Sequence, residues 1–144
     1  MPVEEIARRL GVTVERSAFE RDLSGMAHVK GGTPIVGINS LHHPNRRRVT
    51  LAHELGHVCL HRQFLETVVH VDKGSLRRDA ASAMGTEAIE IEANAFASEL
   101  LMPQDLLDRE IGGRDIDLED DMEVERLARR FSVSIAAMRF RLQG

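Results

Sequence analysis

The run His53-Glu54-Leu55-Gly56-His57 places two imidazoles four residues apart, with a carboxylate beside the first. On an α-helix this spacing puts both imidazoles on one face, with Cα atoms about 6 Å apart along the axis. Two ring nitrogens at that separation can meet one zinc ion at about 2.0–2.1 Å. Glu54 is turned about 100° around the axis, which makes it a poor ligand. It can instead accept a proton from a water at the ion, so the pattern predicts a hydrolytic metal site.

A catalytic zinc site takes three protein ligands and leaves the fourth position to water. His61 lies about 12 Å beyond His53 on a continuous helix, too far for both to share one ion. A later helical segment offers several acids, and one of them, Glu90, is followed one turn later on the same face by Asn94. A carboxylate ligand followed by a polar side chain that orients a ligating imidazole resembles the gluzincin plan. We therefore predict Glu90 as third ligand and Asn94 as orienting residue; for Glu90 a solvated surface acid is the alternative.

Zincins usually supply a Tyr, His or Arg donor to the tetrahedral oxyanion. The chain contains no Tyr, so a His or Arg must take that role if any residue does. His70, in a short strand-like run, is one candidate, and His28, His42 and His43 are others. A surface histidine is the alternative for each of them.

The elements that must position these residues follow from apolar periodicity. One helix is predicted over about 46–62, with its apolar stripe at Leu51, Leu55, Val58 and Cys59. A second helix is predicted over about 86–102, with Thr86 as N-cap and a break at Pro103. Between them, residues 63–85 read as a long loop around a short strand at 68–72, typical of a lid or substrate-binding segment.

The flanking segments predict a small sheet before the site and helices after it. A helix over 2–10 precedes strand-like runs near 12–14, 25–30 and 34–39, with Gly31-Gly32 as a hairpin turn. After Pro103 we expect a short helix that ends at Gly112, then two helices separated by a turn at 132–134. The predicted class is α+β, with a metallopeptidase domain over 1–103 and a packed helical segment over 104–144.

Composition excludes several classes of protein. The chain has 144 residues, a net charge of −4, and no apolar run that could span a bilayer. Its amphipathic start carries early acids, unlike a secretory signal. Cys59 is the single cysteine, so no intrachain disulfide can form, and we expect it to be a small core residue. These features predict a cytoplasmic protein with no affinity for membranes and no general attraction to nucleic acid.

Three segments resemble the ImmA/IrrE family of metallo-endopeptidases: RRRVTLAHELGHVCLH (46–61), EIEANAFASELLMP (90–103) and LARRFSVSIAAMRFRL (127–142). The resemblance covers nearly the whole chain. The second segment is the more specific, because HExxH occurs in many unrelated peptidases. The family pattern implies His53, His57 and Glu90 as metal ligands and Glu54 as catalytic base. It also implies a zincin-like helical core on a small sheet, followed by a helix-turn-helix-like region.

The resemblance further implies one Zn²⁺ per chain, although Mn²⁺ could occupy such a ligand set. Family members cleave a helix-turn-helix repressor encoded nearby and so relieve repression, which makes a repressor the expected protein substrate. The alternative function is a non-catalytic, metal-containing binding module in a toxin–antitoxin-like pair. Direct DNA binding is disfavoured, because residues 115–144 contain seven acids against five Arg and no Lys.

Overall fold

The computed structural model describes residues 2–20, 22–72, 83–113 and 117–143. These residues form seven helices and four strands, which confirms the predicted α+β class. In chain order the elements are α1 (Val3–Arg9), β1 (Thr13–Ser17), β2 (Gly25–Lys30), β3 (Thr33–Asn39), α2 (Pro44–Leu60), α3 (Arg62–Thr67), β4 (His70–Asp72), α4 (Ala83–Leu101), α5 (Gln104–Ile111), α6 (Asp121–Phe131) and α7 (Ile135–Gln143).

The chain divides into two compact units, residues 2–97 and 98–144. The boundary falls within α4, upstream of the division after residue 103 that the sequence predicts. Within the described residues, no helix combines the length and apolar character that a membrane span requires.

The first unit contains a four-stranded sheet of order β1-β3-β2-β4. β1 and β3 are parallel, and the other two pairs are antiparallel. The β2–β3 hairpin turns at Gly31 and Gly32, whose φ angles of +59° and +82° lie in the left-handed region that glycine adopts without steric cost. The predicted hairpin is thereby confirmed. β4 lies at the edge of the sheet, and His70 is its first residue.

α2 packs against β2 and β3 and forms the centre of the first unit. Pro44 at its first turn has the φ angle a helix needs, and the His43 side chain accepts a hydrogen bond from the Asn45 N–H. Residues 50–58 are all buried, including the predicted apolar positions Leu51, Leu55 and Val58. The prediction that Cys59 is a core residue is wrong: it is exposed, because the buried stretch ends one residue earlier.

α4 lies against α2 and begins earlier than expected. Its first residue is Ala83, so Thr86 lies inside the helix and the prediction of an N-cap there is wrong. Gly85 does not interrupt the helix, since a helical glycine costs only about 1 kcal/mol relative to Ala. At the crossing, a Cβ added to Gly56 would lie 3.0 Å from the Ala93 Cα. The absence of a side chain at Gly56 permits this close approach, which brings the turn carrying Glu90 next to α2.

The long segment predicted over 63–85 is partly structured. α3 continues from the end of α2, and β4 pairs with β2 in the register His70–Ala27. The predicted strand at 68–72 is thus present in shorter form. Residues 73–82, where the lid or substrate-binding segment was predicted, lie outside the described residues.

The second unit follows the predicted helical pattern. α5 ends at Gly112, which has the left-handed φ of +65°. Asp120 caps α6 by accepting hydrogen bonds from the Met122 and Glu123 N–H groups. α6 packs on α7 after a turn at Ser132, as the helix-turn-helix-like prediction requires. The buried face of α6 consists of Val124, Leu127, Ala128 and Phe131.

Candidate metal centre

Three of the predicted site residues converge on one point between α2 and α4. The Nε2 atoms of His53 and His57 are 3.2 Å apart. Glu90 Oε2 lies 2.9 Å from His53 Nε2, and Glu90 Oε1 lies 3.1 Å from His57 Nε2. His57 is fully buried and His53 is 6% exposed. The helical i, i+4 spacing and the close crossing at Gly56 together produce this convergence.

The arrangement fits a single metal ion. Ligands at about 2.0–2.1 Å in a tetrahedron are about 3.3 Å apart, close to the three separations of 2.9, 3.1 and 3.2 Å. Two imidazoles with one carboxylate are a set that zinc binds well. Two overlapping groups also bring three potential ligand atoms within 4.8 Å of one another: Glu54, His57, His70 and His53, Glu54, Asp72. Both of these would use Glu54 as a ligand.

Glu54 lies beside this point and is completely buried. Within the described residues, neither of its carboxylate oxygens has a hydrogen-bond partner. His70 forms an ion pair with it, with Nδ1 3.5 Å from Glu54 Oε2, a distance longer than a normal hydrogen bond. A buried carboxylate without donors is costly, and both oxygens retain the capacity to accept a hydrogen bond. This placement suits the predicted role of a base.

His70 is the predicted oxyanion donor, and the structure brings it into the cluster. Its Nε2 lies 2.6 Å from Glu90 Oε1, and its ring centre is 4.2 Å from that of His57. Burial lowers the pKa of His70, but the Glu54 and Glu90 carboxylates outweigh that effect and raise the pKa to about 10. The contacts place His70 between the predicted base and the predicted third ligand. Its role as a donor to an oxyanion stays a prediction.

The other candidate donors lie elsewhere. His43 caps α2, and His28 belongs to β2. His42 lies near Asn39, with 3.4 Å between His42 Nε2 and Asn39 Nδ2. Within the described residues, none of the three belongs to a group of potential metal ligands.

The electrostatics of the centre are set by the proximity of histidines and carboxylates. Burial raises the pKa of Glu90, but hydrogen bonds to His53, His57 and His70 hold that pKa far below its ordinary value. Burial lowers the pKa of His53, and the hydrogen bond to Glu90 with the nearby carboxylates raises it overall. Glu90 is therefore held in its anionic form, which is the form that binds a metal.

The structure does not place Asn94 at the centre. Asn94 is exposed on α4, and in the described part of the chain no hydrogen bond joins it to a ligating imidazole. Ala93, not Asn94, faces α2. The Nδ1 of His57 instead lies 3.0 Å from the Nδ1 of His61. Helical spacing excludes His61 only as a ligand that shares an ion with His53. The i, i+4 spacing from His57 to His61 places the two on one face and could have indicated this contact.

The fold and the centre define a metallopeptidase-like protein. The chain belongs to the Peptidase_M78 family: the family model described as the IrrE N-terminal-like domain matches residues 7–143. This confirms the resemblance found in the sequence.

Among solved structures, the chain is similar to a Mycobacterium tuberculosis transcriptional regulator, with a TM-score of 0.58 and 16% identity. The match covers 94% of this chain and 38% of that protein, so the chain spans well under half of its length. At this identity the likeness concerns the fold alone. The search of curated proteins found no significant match.

Proposed function

We propose that the protein is a zinc-dependent endopeptidase in which His53, His57 and Glu90 hold the ion. The observation that carries the proposal is the convergence of these three side chains beside the buried carboxylate of Glu54. A zinc ion bound there would polarise the scissile carbonyl and lower the pKa of a water towards about 7. Membership of a peptidase family supports a peptide bond as the substrate.

In this proposal Glu54 acts as general base. It accepts the proton of the attacking water and returns it to the leaving amine. Its burial and the lack of hydrogen bonds to it in the described residues leave the carboxylate oxygens available for both transfers. His70 is the histidine outside the ligand set that lies nearest to this chemistry, so we assign to it the donation to the oxyanion.

We propose a helix-turn-helix repressor as the protein substrate, on the basis of the three segments that resemble the ImmA/IrrE family. Direct binding of nucleic acid is not part of the proposed function. The arginines of α6 and α7 already pair with acids, and phosphates would have to compete with those acids. The pairs are Arg126–Glu123, Arg129–Glu125, Arg130–Glu110, Arg139–Asp121 and Arg141–Glu99.

The experiment that tests the proposal is a substrate trap. Tagged Glu54→Gln protein is expressed in the source organism, and the captured proteins are identified by mass spectrometry. We expect one enriched regulator that metal-loaded wild-type protein cleaves at one bond and that the variant leaves intact. The control is Glu66→Gln, which removes one negative charge as Glu54→Gln does, but at an exposed position on α3. This control should cleave like wild type.

Two results would count against the proposal. Cleavage by Glu54→Gln at the wild-type rate would refute the role of Glu54. Capture of a partner that the metal-loaded wild-type protein never cuts would favour the binding-module alternative.

A further inference from the structure

The imidazole of His57 is contacted on both of its nitrogens. Its Nε2 faces Glu90 Oε1 at 3.1 Å, and its Nδ1 lies 3.0 Å from His61 Nδ1. A neutral imidazole carries one proton, so His57 can donate either from Nε2 towards Glu90 or from Nδ1 towards His61. Only the second tautomer leaves the Nε2 lone pair for a metal ion. A neighbouring group that keeps the proton of His57 on Nδ1 therefore prepares Nε2 to bind a metal ion.

The hydrogen-bond partner of the other His61 nitrogen, Nε2, favours this tautomer of His57. His61 Nε2 lies 3.2 Å from Glu92 Oε1. An ionised carboxylate can only accept, so the proton of a neutral His61 resides on Nε2 and its Nδ1 is an acceptor. A hydrogen bond between the two facing Nδ1 atoms then requires His57 to be its donor, which sets this contact against the pull of Glu90 on Nε2. The Glu92 carboxylate thus favours one direction for the hydrogen bonds along this side of His57.

The local backbone builds this contact. His61 ends α2, and its N–H donates to the His57 carbonyl oxygen at 2.8 Å. The His61 side chain is only 9% exposed, whereas that of Glu92 is 58% exposed. Glu92 and Glu90 belong to the same helix, so α4 provides both a carboxylate at Nε2 of His57 and the anchor for its Nδ1 side.

We propose that His61 and Glu92 are positioning residues that hold His57 in the Nδ1–H tautomer and so prepare it to bind the metal. The proposal rests on the metal-binding part of the proposed function. Ligating histidines need such a partner on the other nitrogen, and its loss typically weakens metal binding about 10–100-fold.

The first test measures zinc affinity by competition with a chromophoric chelator, using the full chain. His61→Phe keeps an aromatic ring but removes the acceptor, and we expect about 10–100-fold weaker zinc binding. Glu92→Gln still accepts a hydrogen bond but no longer forces its direction, so its affinity should lie between those of His61→Phe and wild type. Glu66→Gln removes the same charge from the exposed face of α3 and should bind zinc like wild type.

The second test detects the tautomer itself, by ¹⁵N NMR of the histidine rings in chelator-treated protein. We expect His57 as the Nδ1–H tautomer in wild type and Glu66→Gln, and a mixture in His61→Phe. An Nε2–H tautomer in wild type, or zinc affinity unchanged in both His61→Phe and Glu92→Gln, would overturn the positioning role and leave the proposed function standing. Failure of wild type to bind zinc would overturn the proposed function instead, while the tautomer would still report on the contact.

Discussion

Gly56 offers a sharp test of how the centre is assembled, because it lies where α2 and α4 touch. In Gly56→Ala the new Cβ would lie 3.0 Å from the Cα and 3.1 Å from the carbonyl oxygen of Ala93. These separations are tighter than ordinary carbon contacts, so the neighbouring backbone must move by a few tenths of an ångström. Both contacts are with backbone atoms, and no side-chain rotation can relieve them. α4 must therefore move away from α2.

The displacement has two measurable consequences. Overpacking costs about 1–3 kcal/mol, and the better helix propensity of Ala returns about 1 kcal/mol, so stability should fall by at most about 2 kcal/mol. Glu90 lies one turn before Ala93 and shifts with α4; since a misplacement of about 1 Å costs about 100-fold in rate, a few tenths of an ångström should cost several-fold. We expect a folded protein whose peptidase activity falls by about 3–10-fold and whose zinc affinity falls with it.

Urea unfolding and zinc titration of Gly56→Ala separate the two effects. Glu66→Ala, exposed on α3, serves as the control for substitution as such. A Gly56→Ala protein with wild-type zinc affinity and higher stability would mean that the approach of the two helices does not set the ligand geometry.

The remaining predictions concern stability and metal content. Gly25→Ala would put a Cβ 2.7 Å from Thr50 Cγ2 and 2.9 Å from the Gly37 carbonyl oxygen, so thermal and urea unfolding should show a loss of about 1–3 kcal/mol; unchanged stability would contradict the packing beside Glu54. Glu90→Gln removes the anionic ligand, and elemental analysis should find its metal content far below one ion per chain; full occupancy would contradict the ligand assignment. Chelation of the metal should lower the melting temperature of wild type, because an ion at 1,000 times its Kd stabilises the native state by about 4 kcal/mol; an equal shift in Glu90→Gln would show that chelation acts elsewhere.

Much of the fold could be predicted from local sequence. The strand β2 and the hairpin turn at Gly31-Gly32 follow from alternation and glycine pairs. The helix α5 follows from the signals Pro103 and Gly112. These features succeed because turns and caps depend on a few adjacent residues. Thr86 was mistaken for a cap, because the backbone before it is already helical at Ala83.

The centre was predictable where it depends on helical spacing. The pair His53 and His57 converges because positions i and i+4 share a face, and Glu90 joins the pair across the α2–α4 contact. The residues that contact the ligating imidazoles from outside the ligand set were not predictable in the same way. Asn94 shares a face with Glu90 in a helical projection, yet the direction of α4 relative to α2 turns Ala93 towards Gly56 instead. That direction is a tertiary feature, and spacing within one helix does not encode it.

We propose that His53, His57 and Glu90 together hold one metal ion. This assignment is tested most directly by anomalous X-ray diffraction at the zinc edge on crystals of the metal-loaded protein. We expect one anomalous peak at about 2.0–2.2 Å from both Nε2 atoms and a Glu90 carboxylate oxygen, with Glu54 beside it and not bound to it. A peak held by either of the overlapping groups that use Glu54 as a ligand, or no peak in this region, would show that His53, His57 and Glu90 do not form the metal site.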